Sequence, residues 1–569
     1  MSTIKKKEKI RIVFNCSLKY RGISLNDKLL QGPDLTNNLF GVLSRFRENE
    51  VGVLADIQKM FYQVKVPSSQ TDFLRLFWLN SDNEISQYRL KVHVFGATSS
   101  PSVANFALKQ AATDFANDVQ VEAEIKNNFY VDDHAGSYRS ESEAIDVVGQ
   151  IKESLKKGGF NLTQFKSNSG YVTECFSSNE EISSDIPVLV RSNVSPERAL
   201  GVMWELEGDE IGFQIVIDDK IVSKRELLSN VASLYDPLGL LTPVLLGGKK
   251  LFQESCRSKC SWNDPLPQNI LDSYKEWATD LLLLYQYKIP RCLSAKVFSR
   301  VELHIFTDGG ELAFGSVAFL RFGCEKDLNH VSLACSKSRL TPLNNKTLKT
   351  IPRIELCAAK LGVELSLKLQ GEFRFEFSQV CYWTDSQTVL QYLKNDHLKF
   401  KTFVENKVCF IKNFTDESQW RYVPSKQNPA DLVTRGTSSQ TLINSELWNN
   451  GPRFLKTNEM PPQPVIMQPS ADEELKSEKF SLCTFSECSP TDTLIDSTSN
   501  WYKLVRRVAY LRKFISYLKN KNEFSDQISV ADIKSAERII VILIQKKYFG
   551  KDIKNLNESK NLSRNSLLR

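Results

Sequence analysis

The chain has 569 residues, of which 41% are hydrophobic and 25% charged, a composition that excludes a largely disordered chain. This length exceeds what one hydrophobic core supports and predicts roughly three or four domains. The net charge of +7, from 74 basic and 67 acidic residues, permits a polyanionic partner without requiring one.

Targeting segments and zinc sites are not indicated. No apolar run approaches the ~20 residues that a membrane helix needs, and residues 1–7 lack the apolar stretch of a secretory signal. The pairs Cys256/Cys260 and Cys483/Cys488 have no histidine pair nearby, which argues against zinc because a zinc site needs four ligands. We therefore expect a soluble, intracellular protein without a membrane partner and with reduced thiols.

Three aspartates follow two strand-like runs. Residues 51–55 are an apolar run that ends at Asp56, and residues 129–131 lead directly to Asp132 and Asp133. Neighbouring strands would bring these carboxylates together, where they repel one another unless a cation neutralises them. Hard oxygen ligands favour Mg²⁺ or Mn²⁺, and two such ions drive in-line phosphoryl transfer. The alternative is a simple hairpin turn, because aspartate is common in turns.

Four further acids are spread over the next part of the chain. Asp308 ends an alternating strand pattern, and Glu355 lies near the start of an amphipathic helix predicted over 354–369. Asp385 follows a third strand pattern, and Asp431 opens a last predicted helix. For each acid alone, the alternative interpretation is a helix cap or a surface carboxylate without a catalytic role.

Together these strings resemble a known family. The sequence is similar, from about Arg11 to Pro452, to the polymerase of BEL/Pao long-terminal-repeat retrotransposons. The strings that carry this resemblance are Asp56-Ile-Gln-Lys-Met-Phe61, Phe95-Gly96-Ala-Thr-Ser-Ser-Pro101, Tyr130-Val131-Asp132-Asp133, Gly32-Pro33-Asp34-Leu35, Asp236-Pro237-Leu238-Gly239 and Ile351-Pro352-Arg353-Ile354-Glu355. The order and spacing of the later acids resemble a ribonuclease H domain.

The resemblance implies two catalytic sites with two Mg²⁺ (or Mn²⁺) ions each. The polymerase metal ligands would be Asp56, Asp132 and Asp133, and the ribonuclease H ligands Asp308, Glu355, Asp385 and Asp431. The segment over 423–427 holds no histidine before the fourth acid, where many ribonucleases H carry one. We therefore expect slower or different product release rather than a dead site.

The resemblance also implies residues that bind the nucleotide and the primer. The predicted nucleotide contacts are Arg11, Ile57, Gln58, Phe61, Phe95, Gly96, Tyr130 and Lys166. The predicted primer grip is Gly201, Val202, Met203 and Trp204. Phe61 matches an aromatic residue that excludes a ribose 2′-hydroxyl, with a core phenylalanine as the alternative. Lys166 matches a lysine proposed to protonate pyrophosphate, with a solvent-facing lysine as the alternative.

The expected fold is a multidomain α/β and α+β protein. It would combine a right-hand polymerase palm with an antiparallel sheet, a connection region, a mixed ribonuclease H-like sheet and C-terminal helices. The predicted domains are partial fingers over 1–45, palm and fingers over 46–190, a thumb or connection-like region over 191–299, a ribonuclease H-like domain over 300–445, a linker over 446–500 and a helical start of an integrase region over 501–569.

The leading functional hypothesis is a retrotransposon reverse transcriptase with ribonuclease H activity. Its partners would be an RNA template, a DNA primer, an RNA–DNA hybrid and dNTPs. The resemblance implies a cytoplasmic location, including virus-like particles, with access to the nucleus. The alternatives are a truncated, non-catalytic nucleic-acid-binding remnant and a ribonuclease H on an inactive polymerase scaffold. A protease ranks last, because no D-[ST]-G string occurs.

Overall fold

The structure is a computed structural model that describes residues 14–177, 197–218, 220–258, 260–294, 298–323, 329–343, 350–395, 399–457, 459–466, 474–476, 490–520 and 527–558. The chain divides into two compact units, residues 1–476 and residues 477–569. Within the described ranges, no helix is both long enough and apolar enough to span a bilayer.

The first elements build an antiparallel sheet backed by helices. They are α1 (Leu39–Phe46), β1 (Val51–Ile57), α2 (Met60–Gln63), β2 (Arg75–Leu79), β3 (Ile85–Arg89), α3 (Ser100–Phe115), α4 (Val119–Asn127), β4 (Phe129–Tyr130), β5 (Asp133–Tyr138), α5 (Glu141–Lys157), β6 (Leu162–Ser167) and α6 (Gly170–Ser177). The strand order is β4-β5-β1-β6, while β2 and β3 form a separate hairpin. Strand β1 is a continuous apolar run because it lies between two neighbours and is buried along most of its length. This arrangement is the predicted palm.

A connection region follows. Its elements are β7 (Glu197–Ala199), β8 (Val202–Glu205), β9 (Glu210–Gly212), α7 (Lys224–Ser233), α8 (Thr242–Arg257), α9 (Gln268–Leu281) and β10 (Ile289–Pro290). Helix α7 ends at Ser233. The chain then turns, and the Asp236 carboxylate accepts hydrogen bonds from the backbone N–H groups of Leu240 (2.8 Å) and Leu241 (2.7 Å).

A mixed sheet forms the next part of the same unit. Its elements are β11 (Arg300–Gly309), β12 (Ala313–Gly323), β13 (His330–Leu340), α10 (Ile351–Glu372), β14 (Gln379–Thr384), α11 (Gln387–Lys394), α12 (Thr402–Phe414), β15 (Trp420–Tyr422), α13 (Ala430–Arg435), α14 (Ser439–Ile443), α15 (Glu446–Asn449) and α16 (Arg453–Thr457). The strand order is β13-β12-β11-β14-β15, with β11 antiparallel to β12 and parallel to β14. The predicted mixed sheet is confirmed.

Two helix predictions in this region need correction. Helix α10 begins at Ile351 rather than at residue 354, because Pro352 occupies the first turn, where its missing N–H costs no hydrogen bond. The helix that carries Asp431 is not the last one, since α14, α15 and α16 follow it.

The core of the mixed sheet continues into the palm. One buried cluster contains Leu43, Phe46 and Leu54 of the palm together with Phe306 and Trp383 of the mixed sheet. Burying these side chains against one another removes apolar surface from water in both regions at once. The palm also has a buried cluster of its own, but the predicted boundaries within residues 1–476 cut through the shared cluster.

The second unit contains helices, as predicted. They are α17 (Pro490–Asp496), α18 (Trp501–Asn520) and α19 (Val530–Asn557). Leu504 and Val508 of α18 are buried in one cluster with Ile540 of α19. Helix α19 begins with a capping box in which the Ser529 side chain accepts from the backbone of Asp532.

Candidate active sites

The structure brings the palm aspartates to one edge of the sheet. Asp56 lies next to the end of β1, and its Cα partner across the β1–β5 pair is Asp133. Asp132 precedes Asp133 in the connection between β4 and β5. The hairpin pairing of β4 with β5 thus delivers two acids to the place where β1 delivers the third.

The backbone of this hairpin is strained. Val131 has a φ of 59°, a left-handed conformation that costs a β-branched residue free energy and is typical of functional sites. The backbone N–H of Ile57 donates to the carbonyl oxygen of Asp132 at 2.9 Å. This hydrogen bond ties the strained connection to the strand that carries Asp56.

The palm carboxylates have perturbed acidities. Burial, followed by the charges of Asp132 and Asp56, raises the pKa of Asp133 to about 6. Burial also raises the pKa of Asp132 above its ordinary value. Such a set of partly buried, mutually repelling carboxylates favours a bound cation.

The predicted nucleotide contacts after Asp56 divide between core and surface. The Ile57 side chain is fully buried, and its N–H is already used by Asp132. Gln58 is exposed, and its side chain accepts from the Asn161 amide at 3.0 Å. Phe61 is buried in the palm core, yet its ring meets the exposed ring of Phe95 edge-on at 4.6 Å. Both interpretations of Phe61 therefore stay open.

The remaining nucleotide candidates lie on several elements. Gly96 has a φ of 98°, and a Cβ there would lie 2.2 Å from the carbonyl oxygen of Phe14. The N-terminal segment thus requires glycine at this position independently of any bound nucleotide. Lys166 lies on β6 opposite Leu54 of β1. Arg11 falls outside the described residues.

The predicted primer grip forms a hairpin beside Tyr130. Strands β7 and β8 pair around Leu200 and Gly201, which both have positive φ. A Cβ on Gly201 would lie 2.7 Å from the Tyr235 ring, and Tyr235 interacts electrostatically with Tyr130. Trp204 is fully buried and belongs to the core, so its side chain cannot contact a primer.

Sequence reasoning missed Tyr235. This half-exposed ring lies against the Gly201 turn. The available signal was its position directly before the Asp236-Pro237-Leu238-Gly239 string.

The four later acids come from four different elements of the mixed sheet region. Asp308 lies next to the end of β11, Asp385 directly follows β14, Glu355 lies in the second turn of α10 and Asp431 lies in the first turn of α13. A Cβ on Gly309 would lie 2.6 Å from the backbone nitrogen of Glu355. Glycine at this position therefore lets α10 approach the strand end.

Neighbouring side chains orient each of these acids. Thr434 donates to Asp308, Ser386 donates to Glu355 at 2.5 Å, and Ser425 donates to Asp385 at 2.6 Å. The fourth acid, Asp431, forms an ion pair with Arg435 at 2.5 Å. Sequence reasoning singled out none of these neighbours. Ser425 lies in the segment that holds no histidine.

The pKa values of Asp308, Glu355 and Asp431 are all raised. Burial, then the charges of Asp385 and Asp431, raises the pKa of Asp308 to about 6, against the effect of the hydrogen bond from Thr434. Burial, then Asp385 and Asp308, raises the pKa of Glu355 to about 7. Burial likewise raises the pKa of Asp431, although its ion pair with Arg435 opposes this shift.

The donor sets fit hard cations that keep part of their hydration shell. Within the described part of the chain, no group of three or more acidic, histidine or cysteine side chains is close enough to hold one metal ion. Magnesium, however, is commonly held by one or two carboxylates together with water and substrate oxygens. The raised pKa values of Asp133, Asp308 and Glu355 show that carboxylates in both sites lack compensating positive charge.

Two protein-family models match the chain. Residues 4–202 match the reverse transcriptase (RNA-dependent DNA polymerase) model, which contains Asp56, Asp132 and Asp133. Residues 223–386 match the Pao retrotransposon-like RNaseH-like domain, which contains Asp308, Glu355 and Asp385. The second model begins within the predicted connection region and ends before Asp431.

Solved structures with similarity to the chain include two viral proteins. The foamy viral protease-reverse transcriptase dRH in complex with double-stranded DNA is 12% identical over 75% of this chain and 65% of that chain, with a TM-score of 0.48. The foamy viral protease-reverse transcriptase in complex with an RNA/DNA hybrid is 11% identical over 71% of this chain and 47% of that chain, with a TM-score of 0.40. The chain thus spans 65% of the length of the first protein and 47% of the length of the second. A comparison with curated proteins gives no match.

The order of the two family models, reverse transcriptase followed by a Pao RNaseH-like domain, agrees with the order of the two sheets and of their acids. Two successive matches, to a reverse transcriptase model and to a Pao retrotransposon-like RNaseH-like domain model, support a BEL/Pao-type retrotransposon pol fragment.

Proposed function

We propose that the chain is an RNA-directed DNA polymerase that also cleaves RNA in RNA–DNA hybrids. The observation that carries this proposal is the presence of two separate groups of partly buried carboxylates, one in each matched domain. Phosphoryl transfer needs little covalent help from protein, so positioned acids that hold metal ions supply most of the required chemistry.

We propose two Mg²⁺ or Mn²⁺ ions in each site. Bound there, they would act as Lewis acids that lower the pKa of an attacking hydroxyl or water and stabilise the leaving oxygen. Asp56, Asp132 and Asp133 would hold them in the palm. Asp308, Glu355, Asp385 and Asp431 would hold them in the RNaseH-like domain, with water filling the remaining ligand positions.

In the polymerase site, the chain itself would position the primer and the nucleotide. Tyr235, whose ring lies against the Gly201 turn, would support the hairpin that contacts the primer end. The exposed Phe95 would stack near the incoming base, and Lys166 would stand ready to donate a proton to pyrophosphate.

In the RNaseH-like site, the hydroxyl donors fix the direction of the carboxylates. Thr434 orients Asp308, and Ser386 orients Glu355. Ser425 fixes Asp385 from the segment where other enzymes place a histidine. RNA would be selected over DNA through the 2′-hydroxyls and the A-form shape of the hybrid.

The proposed partners are an RNA template, a DNA primer, an RNA–DNA hybrid and dNTPs. Support comes from the family models and from the similar foamy viral proteins, which were solved with double-stranded DNA and with an RNA/DNA hybrid. A cytoplasmic location with access to the nucleus stays a prediction.

A primer-extension gel tests the polymerase proposal. A labelled DNA primer on an RNA template is incubated with dNTPs and Mg²⁺ or Mn²⁺, and the control is the variant Asp132→Asn/Asp133→Asn. We expect extension by the natural chain and about 10³-fold less in the control, the equivalent of several kcal/mol of lost metal chemistry. RNA cleavage without extension would favour a lone nuclease on an inactive polymerase scaffold. Neither activity would favour a non-catalytic remnant.

A further inference from the structure

A residue of the RNaseH-like domain reaches into the palm. Arg374 lies two residues beyond the end of α10. Its backbone N–H and its Nε donate to the Glu48 carboxylate at 2.7 Å and 2.5 Å. Its guanidinium also donates to the Glu124 carboxylate and to the carbonyl oxygen of Ser137 at 2.9 Å. One side chain thus joins three separate segments of the palm.

Each of these segments leads to a catalytic candidate. Glu48 precedes β1, which carries Asp56. Glu124 lies in α4, which leads through β4 to Asp132, and Ser137 lies on β5 four residues after Asp133. Arg374 therefore contacts all the chain segments that deliver the palm acids.

A second arginine joins the same places from the palm side. Arg45 of α1 donates to the side chain of Asn128 at 2.7 Å, directly before β4. It also donates to the Glu372 carboxylate at the end of α10 at 2.5 Å. A Cβ on Gly41 would overlap the Glu372 carboxylate, so a larger residue at position 41 would displace that carboxylate from its present place.

The buried charges make the contacts specific. Glu48 and Glu124 are 1% and 3% exposed, and burial raises the pKa of both while Arg374 lowers it. Without Arg374, these carboxylates would lie in the protein interior opposite a single remaining arginine. Unpaired buried charges are costly, and the surrounding elements move to reach water or another partner.

We propose that Arg374 is a positioning residue of the polymerase site, which holds the segments carrying Asp56, Asp132 and Asp133 in register from within the RNaseH-like domain. This inference rests on the proposed polymerase function. It means that the two matched domains are not separable modules, because the palm site is completed by a side chain more than two hundred residues further along the chain.

The arginine fork is needed for this role. Its planar guanidinium donates to several acceptors in fixed directions, whereas a lysine ammonium is a single flexible point charge. The variant Arg374→Lys therefore keeps the charge opposite Glu48 and Glu124 but cannot join all three palm segments. Arg139→Lys is the matched control, because Arg139 is exposed directly after the same strand β5.

The test uses the full chain and four measurements. They are single-turnover primer extension at increasing dNTP concentration, hybrid cleavage, thermal unfolding, and amide hydrogen exchange in peptides that cover residues 129–138 and 300–323. For Arg374→Lys we expect the maximal extension rate to fall about 10- to 100-fold, as small misplacements of reacting groups do. We expect hybrid cleavage to stay within about twofold, because the RNaseH-like acids lie on other elements.

Hydrogen exchange separates positioning from general instability. In Arg374→Lys, exchange should become faster in residues 129–138 and stay unchanged in residues 300–323, while Arg139→Lys should leave both unchanged. Extension within about twofold of the natural chain, or parallel losses of extension, cleavage and thermal stability, would overturn the inference. If Arg374→Lys does not fold, the neutral variant Arg374→Met/Glu48→Gln/Glu124→Gln is judged by the same criteria.

The outcomes also distinguish this inference from the proposed function. If the natural chain extends the primer and the Arg374→Lys variant extends it equally well, only the positioning role is overturned. If the natural chain extends no primer, the polymerase proposal fails, and the hydrogen exchange of residues 129–138 alone then decides whether Arg374 holds the hairpin.

Discussion

The two candidate active sites are supported in different ways. The RNaseH-like acids receive hydrogen bonds or an ion pair from side chains of their own region: Thr434, Ser386, Ser425 and Arg435. The palm acids lie on or next to strands, and Arg374 of the other domain forms hydrogen bonds with the chain segments that lead to or from these acids. The first site is thus supported locally, and the second also across a domain contact.

This difference follows from where the acids occur in the chain. Asp132 and Asp133 are adjacent in one tight connection, so hairpin pairing alone brings them to Asp56. The RNaseH-like acids come from two strand ends and two helices, and each long element needs its own contacts to orient its side chain. A locally supported site should tolerate changes elsewhere, whereas the palm site should respond to changes in the RNaseH-like domain.

The largest expected effect comes from removing the RNaseH-like charges. In Asp308→Asn/Glu355→Gln, we expect hybrid cleavage to fall about 10³-fold, because the metal chemistry loses two ligands. Primer extension should stay within about twofold, since these acids lie on a different sheet from the palm acids. Single-turnover cleavage and extension with one enzyme preparation measure both. A comparable loss of extension would show that the sites do not act separately.

A smaller effect is expected from the side chains that orient these acids. The variant Thr434→Val keeps the shape of the buried side chain but removes the hydroxyl that donates to Asp308. Loss of such a supporting hydrogen bond weakens metal binding or activity about 10- to 100-fold. We expect the Mg²⁺ concentration for half-maximal cleavage to rise by this amount and extension to stay unchanged. The exposed Thr441 provides the control, Thr441→Val, and an unchanged Mg²⁺ curve for Thr434→Val would contradict local support.

The sequence predicted the elements that carry the acids well, because strands and helices depend on local patterns. The apolar run before Asp56, the run before Asp132 and the alternating strand before Asp308 are short-range signals, and the structure has strands at each place. The helix over 354–369 and the C-terminal helices were likewise visible from spacing. The proline in the first turn of α10 accompanies a start one turn earlier than predicted.

The supporting residues could not be predicted in this way. Arg374 and Glu48 are far apart in the sequence, and no periodicity tells which carboxylate an arginine will meet after folding. Gly96 was attributed to a nucleotide, whereas the structure shows the Phe14 carbonyl oxygen against it. The position of Tyr235 could be recognised only once the structure showed its ring against the turn at Gly201. Such contacts are set by tertiary packing, which a single sequence does not display.

The smallest effect on activity is expected when a buried ion pair inside the mixed sheet is removed. Glu302 on β11 accepts from Arg321 at 2.5 Å and lies 3.2 Å from His304 Nε2. Because the Trp383 indole donates to His304 Nδ1, the Nε2 atom carries the proton and donates to Glu302. Burial alone would raise the pKa of Glu302, but the hydrogen bonds from His304 and Arg321, together with the Arg321 charge, lower it to about 2.

The sign of its contribution follows from this lowered pKa. Glu302 stabilises the fold fully above its ordinary pKa of 4.5 and loses that contribution as the pH falls from 4.5 towards 2. In Glu302→Gln we expect a loss of about 1.5–3 kcal/mol at pH 7, the range for hydrogen bonds to charged groups. The difference from the natural chain should shrink below pH 4.5. Denaturant unfolding at several pH values measures this, with Glu364→Gln in the partly exposed pair with Lys360 as the control expected within about 0.5 kcal/mol. A loss in Glu302→Gln that does not depend on pH would show that the carboxylate contributes through shape rather than charge. The mixed sheet would then differ from the palm, where the contacts of Arg374 and Arg45 indicate that buried charges stabilise the fold.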